Sequence, residues 1–159
     1  MYDLIGDIHG HAEELEQMLL KLGYIKTGGV YQHPNRQVIF LGDFIDRGPQ
    51  IKEVLELVRP MVEKGFAKSV MGNHELNALA FHTADPRKRG EFLRPHSDKN
   101  IHQHSETLRQ VDEKTLRSHL QWFRTLPLFL DLGELRVVHA CWDKAEIAKI
   151  NGLVDDQFL

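Results

Sequence analysis

Four short stretches deliver carboxylates, imidazoles and a guanidinium where an apolar run ends. They are Gly6-Asp7-Ile8-His9-Gly10, Gly42-Asp43-Phe44-Ile45-Asp46-Arg47-Gly48, Gly72-Asn73-His74-Glu75 and Val137-Val138-His139. Each residue alone has an ordinary reading. Gly-Asp is a common turn, Asn73 suits a helix N-cap, and His139 suits a hydrogen-bonded core histidine. Together they fit one chemistry. Asp7 and His9 stand two apart, so an extended backbone points both to one side, where they can clasp one cation. Asp43 has two oxygens and can bridge two ions, while Asn73 offers a neutral oxygen and His139 a ring nitrogen. This mixed oxygen and nitrogen set suits Mn²⁺, Fe, Zn²⁺ or Co²⁺ better than Mg²⁺ or a thiolate site. Two such ions would activate a hydroxide and clamp a phosphoryl group.

Residues at the ends of several strands need a sheet to align them. Strand patterns occur at 2–6, 37–42, 67–72, 128–132 and 135–139, the last two reading as a hairpin around Gly133-Glu134. Between them, Leu15, Met18, Leu19 and Leu22 repeat with helical spacing, as do Ile51, Val54, Leu55 and Val58. Further helices are expected from Asn73 to about His82 and around 116–126, the latter ending before Pro127. Alternating strands and helices predict an α/β layer with a largely parallel sheet, whose carboxyl edge is where such folds bind ligands. The polar segment at about 85–109 reads as an insertion, either a solvated excursion or a lid whose cations meet an anionic substrate. Within it, His102-Gln103-His104 suits a helix or lid better than a metal pair.

The chain has 159 residues, 42% hydrophobic and 27% charged, which suits one domain with its own core. A net charge of −3 does not favour nucleic acid or a membrane surface as partner. One cysteine, Cys141, allows no internal disulfide; with Trp142 it is expected to pack. The start carries no basic region followed by an apolar one, so a cytoplasmic location is expected. Two further classes are disfavoured. There is no Gly-x-x-x-x-Gly-Lys phosphate loop, and residues 6–10 lack the three-glycine spacing of a dinucleotide fold.

The motifs GDIHG, GDFIDRG and GNHE, followed by VVHA, resemble the calcineurin-like metallophosphoesterase superfamily, in its bacterial phosphoprotein phosphatase and diadenosine tetraphosphatase branch. The resemblance implies an αββα sandwich, here its N-terminal part, and a phosphatase of the serine/threonine type or a dinucleoside polyphosphate hydrolase. It implies Asp7 and His9 on one metal, Asp43 bridging, and Asn73 and His139 on a second, with Mn²⁺ the expected ion. It further implies His74 beside the leaving oxygen, Asp46 orienting His74, and Arg47 clamping phosphate. The substrate would be a phosphorylated protein, a nucleotide or a small phosphate ester. Two departures stand out. Met71 replaces an arginine that precedes GNHE in the eukaryotic-type enzymes, and no histidine follows His139, where the family carries a Gly-His-x-His segment. The expectation is therefore one domain over 1–159, incomplete at its C-terminus and prone to self-association. A catalytically inactive phosphate- or metal-binding module is the alternative.

Overall fold

The computed structural model describes residues 1–151. Its elements in chain order are β1 (Tyr2–Ile5), α1 (Ala12–Lys21), β2 (Ile25–Thr27), β3 (Val30–Gln32), β4 (Gln37–Phe40), α2 (Ile51–Glu63), β5 (Ala67–Ser69), α3 (Asn73–Phe81), α4 (Asp98–Gln110), α5 (Glu113–Phe123), β6 (Phe129–Asp131), β7 (Arg136–Val138) and α6 (Lys144–Asn151). The strand order β1-β4-β5 is parallel throughout, as the alternating pattern predicts. Register aligns the strand ends: Ile5 lies opposite Phe40, and Phe40 opposite Ser69. Asp7, Asp43 and Asn73 follow within a few residues, so pairing alone carries them to one edge of the sheet.

On one face of the sheet, Val38 and Phe40 pack with Leu15 and Leu19 of α1, Val54, Leu55, Val58 and Met61 of α2, and Phe123 of α5. Burying each of these side chains contributes about 1.5–3 kcal/mol. The four spaced residues of α2 are fully buried, whereas on α1 the expected stripe narrows, leaving Met18 49% exposed. The opposite face holds a smaller cluster of Ile39, Val70 and Val137, covered by Leu130, Leu132 and Leu135 of the β6–β7 hairpin. That hairpin closes with Asp131 opposite Arg136, which is where the sequence predicts it. Leu4 on the edge strand β1 remains 53% exposed.

Three elements depart from expectation. The β2–β3 hairpin turns at Gly28-Gly29, a hairpin signal in so short a pair of strands that periodicity does not register it. The 85–109 segment divides. Residues before Ser97 run through turns and one bridge, Ala84 to Phe92, and α4 follows, with Ser97 Oγ accepting from the Asn100 N–H at 3.4 Å. Cys141 is exposed just beyond β7, and Trp142 alone packs, edge-on to Phe129 at 5.6 Å. Among the described residues, no helix is long and apolar enough to cross a membrane. The closing segment 152–159, expected to lead into further sheet, lies outside the described residues.

Candidate metal centre and acid–base pair

The loop after β4 is built to present Asp43. Gly42 sits at φ +88°, and a Cβ there would collide with the backbone nitrogen of Gly72. Only glycine lets the two strand-end loops touch. Asp43, Asp46 and Arg47 themselves hold left-handed conformations, at φ +54°, +65° and +66°. Consecutive non-glycine residues in this region are costly, about 1–3 kcal/mol each, and persist only where the surroundings hold them.

Those surroundings begin with Glu75, an acid in the first turn of α3, which by sequence alone suits the helix dipole. The structure gives it a larger task. It is fully buried, and its carboxylate accepts from the backbone N–H of Asp43 (2.8 Å), Phe44 (2.8 Å) and Gly72 (3.0 Å). One side chain thus ties the loop after β4 to the start of α3. Burial raises its pKa to about 6, with Asp43 adding to the rise and the three N–H groups opposing it.

Asp43 divides its oxygens. Oδ1 accepts from the His74 N–H at 2.9 Å, and Oδ2 faces three imidazole Nε2 atoms: His139 at 3.5 Å, His9 at 3.6 Å and His74 at 4.0 Å. Asp7 Oδ2 lies 3.9 Å from His9 Nε2. These separations exceed hydrogen bonds. They match donors that share a cation, since two ligands bound at about 2.1 Å sit about 3–4 Å apart. The tautomers agree with that use. His9 Nδ1–H donates to Ile45 O (2.8 Å) and His139 Nδ1–H to Leu41 O (2.7 Å), which turns each Nε2 lone pair toward Asp43. His9 Nε2 is buried and has no hydrogen-bond partner. His139 Nε2 meets Asn73 Oδ1 at 2.9 Å, a contact of two lone pairs unless a proton or cation lies between them. Two groups of donors converge, His9 with Asp43 and His74, and Asp7 with Asp43 and His139. The donors fit a divalent cation.

Beside this cluster, His74 Nδ1–H donates to Asp46 Oδ2 at 2.6 Å. That hydrogen bond, aided by the charges of Asp43, Asp46 and Glu75 and opposed by burial, raises the His74 pKa. Burial alone would raise that of Asp46, but hydrogen bonds from His104, His74 and Thr107 outweigh it and hold the carboxyl well below its usual range. A pH dependence follows by linkage. Asp46 contributes stability that is present above its ordinary value of 3.8 and lost as pH falls from there. His74 contributes stability that is present below its ordinary 6.5 and lost as pH rises through its higher folded value. The pair is therefore at full strength between these two pH values. In melts of the metal-free chain across pH, Asp46→Asn should lose the most stability in that interval, less at higher pH, where only the contribution of protonated His74 is gone, and least at acid pH, where the wild-type carboxyl is itself protonated. A constant offset at all pH values would contradict the coupling.

The structure brings together every residue the motifs single out except Arg47. Arg47 is exposed and pairs with no carboxylate among the described residues. The sequence reading misses Glu75, and also the α4 residues His104 and Thr107 on Asp46. The signal for the latter was a polar face at i, i+3 inside a segment with no apolar stripe to mark it as packed.

The chain is similar to several known proteins. The family model described as calcineurin-like phosphoesterase matches residues 2–153. Two curated relatives are asymmetrical bis(5'-nucleosyl)-tetraphosphatases PrpE. The one from Oceanobacillus iheyensis is 33% identical over 140 residues, covering 87% of this chain and 54% of its own. The one from Bacillus subtilis is 33% identical over 159 residues, covering 98% and 63%. The chain thus spans between half and two-thirds of the length of these relatives. Among solved structures, a cold-active protein tyrosine phosphatase superposes with a TM-score of 0.61 at 20% identity, over 94% of this chain and 43% of that one. A metallophosphoesterase from Sphaerobacter thermophilus gives 0.55 at 21%, over 98% and 56%. These structural likenesses bear on the fold. The motifs, the converging donors and the family match lead to one conclusion: the chain belongs to the calcineurin-like phosphoesterase family.

Proposed function

We propose that this chain carries the metal-binding and acid–base residues of an enzyme that hydrolyses a phosphate ester or anhydride, with a dinucleoside polyphosphate as the favoured substrate class. The observation that carries the reading is Asp43 Oδ2, ringed by the Nε2 atoms of His139, His9 and His74 at 3.5–4.0 Å. The substrate class draws on the names of the relatives, which are bis(5'-nucleosyl)-tetraphosphatases.

Asp7, His9 and Asp43 would hold one divalent ion, and Asp43, Asn73 and His139 a second, with Mn²⁺ the first choice. When bound, such ions polarise a phosphoryl oxygen and lower the pKa of water. The chain's own residues supply the rest. His74 keeps a proton on Nδ1 through Asp46, and that hydrogen bond favours the protonated ring, whose Nε2 faces Asp43. The Nε2–H of that ring can donate to the oxygen on which charge develops as the phosphorus–oxygen bond breaks. Arg47, exposed and unpaired among the described residues, is free to turn its fork to two oxygens of a bound phosphate.

The test is to load the chain with Mn²⁺, desalt it, and measure both bound manganese and hydrolysis of diadenosine tetraphosphate. The expected result is about two ions per chain and hydrolysis that chelation abolishes. Retained metal without hydrolysis would favour the binding-module alternative. No retained metal would overturn the reading.

A further inference from the structure

The reaction above uses Asp46 only through His74, yet Asp46 is gripped as firmly from its other side. His104 Nδ1–H donates to Asp46 Oδ1 at 2.9 Å, and Thr107 Oγ1–H donates to the same oxygen at 2.6 Å. Asp46 answers with its backbone N–H, which donates to Thr107 Oγ1 at 3.1 Å. All three residues are buried. One turn further along α4, Gln110 Nε2 donates to Gly48 O (2.8 Å), and its Oε1 accepts from the Ile51 N–H (2.8 Å). His104, Thr107 and Gln110 lie at i, i+3 and i+6, one face of one helix along the whole turn from Asp46 to Ile51. This is the turn that carries the two consecutive left-handed residues, Asp46 and Arg47.

Behind His104, the Nε2 atoms of His104 and His82 lie 3.2 Å apart, so one N–H bridges the two rings. Phe81 packs against the His104 ring with centroids 5.3 Å apart. The imidazole is thus fixed at both nitrogens and on one side. Both His104 and His74 present an N–H to Asp46, so the carboxylate accepts from both sides and is held in place between them.

We propose that α4 is the positioning element of the acid–base pair: His104, with Thr107, pins the Asp46 carboxylate so that Oδ2 stays on His74 Nδ1. His104 and Thr107 are positioning residues that act through Asp46. The inference rests on the reading of His74 as the group facing the leaving oxygen, and it turns part of a segment read as a solvated excursion or a lid into the site's frame.

The test observes the hydrogen bond itself, in the metal-free ¹⁵N-labelled chain by NMR. Among its hydrogen-bonded imidazoles, the wild type should show the two furthest-downfield, slowly exchanging N–H protons from His74 and His104, the rings bonded to a carboxylate. His104→Leu should remove its own signal, move that of His74 upfield and speed its exchange at least about tenfold. His104→Asn, whose amide reaches the position of Nδ1, should restore the His74 signal. Thr107→Val, nearly isosteric, should shift it too, and it decides the matter if His104→Leu does not fold. A His74 proton unmoved in the folded variants overturns the proposal, as does the absence of any such proton in the wild type. Failure of the chain to retain manganese would overturn the phosphoesterase reading without touching this measurement. An unmoved His74 proton in a chain that retains metal would overturn the positioning role alone.

Discussion

Asp43→Asn should abolish retention of divalent metal while moving the metal-free stability by less than about 1 kcal/mol. The two effects separate because the two oxygens of Asp43 have separate partners. Oδ1 accepts from the His74 N–H and is retained in asparagine. Oδ2 is the atom the imidazoles surround. Replacing it with an amide removes both the charge and the lone pairs that a bridging ligand needs. The new N–H can donate to His9 Nε2, 3.6 Å away and otherwise without a partner, so the metal-free fold loses little. With metal at 100 times its Kd, the wild type should gain about 2.7 kcal/mol. Urea titrations with and without Mn²⁺ should show that gain in the wild type and none in the variant. A variant that retains as much manganese as the wild type would remove Asp43 from the centre of the site.

The second large effect is on folding. Glu75→Ala should destabilise the metal-free chain by about 3 kcal/mol or more, because it leaves three buried backbone N–H groups without acceptors at about 1–3 kcal/mol each. The loop at Asp43 and Phe44 would also lose its tie to Gly72. Glu75→Gln keeps one acceptor oxygen but turns a second donor toward an N–H, so it should fall between alanine and wild type. Measurement at pH 8, well above the Glu75 value of about 6, compares the variants with an ionised carboxylate. Equilibrium unfolding in urea checks the order. Glu75→Ala within about 0.5 kcal/mol of wild type would show that water replaces the carboxylate at no cost.

Much of this site is legible in the sequence because its residues enter at fixed offsets from strand ends. Parallel pairing of β1, β4 and β5 sets those ends level, so an apolar run followed by Gly-Asp or Gly-Asn predicts where a side chain emerges. The helical spacing of Ile51, Val54, Leu55 and Val58 predicts a buried face for the same reason: local geometry decides it. What tertiary structure alone decided depends on residues far apart in the chain. Glu75 reads as a dipole-suited surface acid until the loop 32 positions earlier brings the N–H of Asp43 to it. α4 has no apolar stripe, since the residues it buries, His104 and Thr107, are polar and meet a carboxylate. Hydrophobic periodicity reports burial against an apolar core. It is silent where a helix is buried against charge, and there only the folded chain shows which polar side chains have left the solvent.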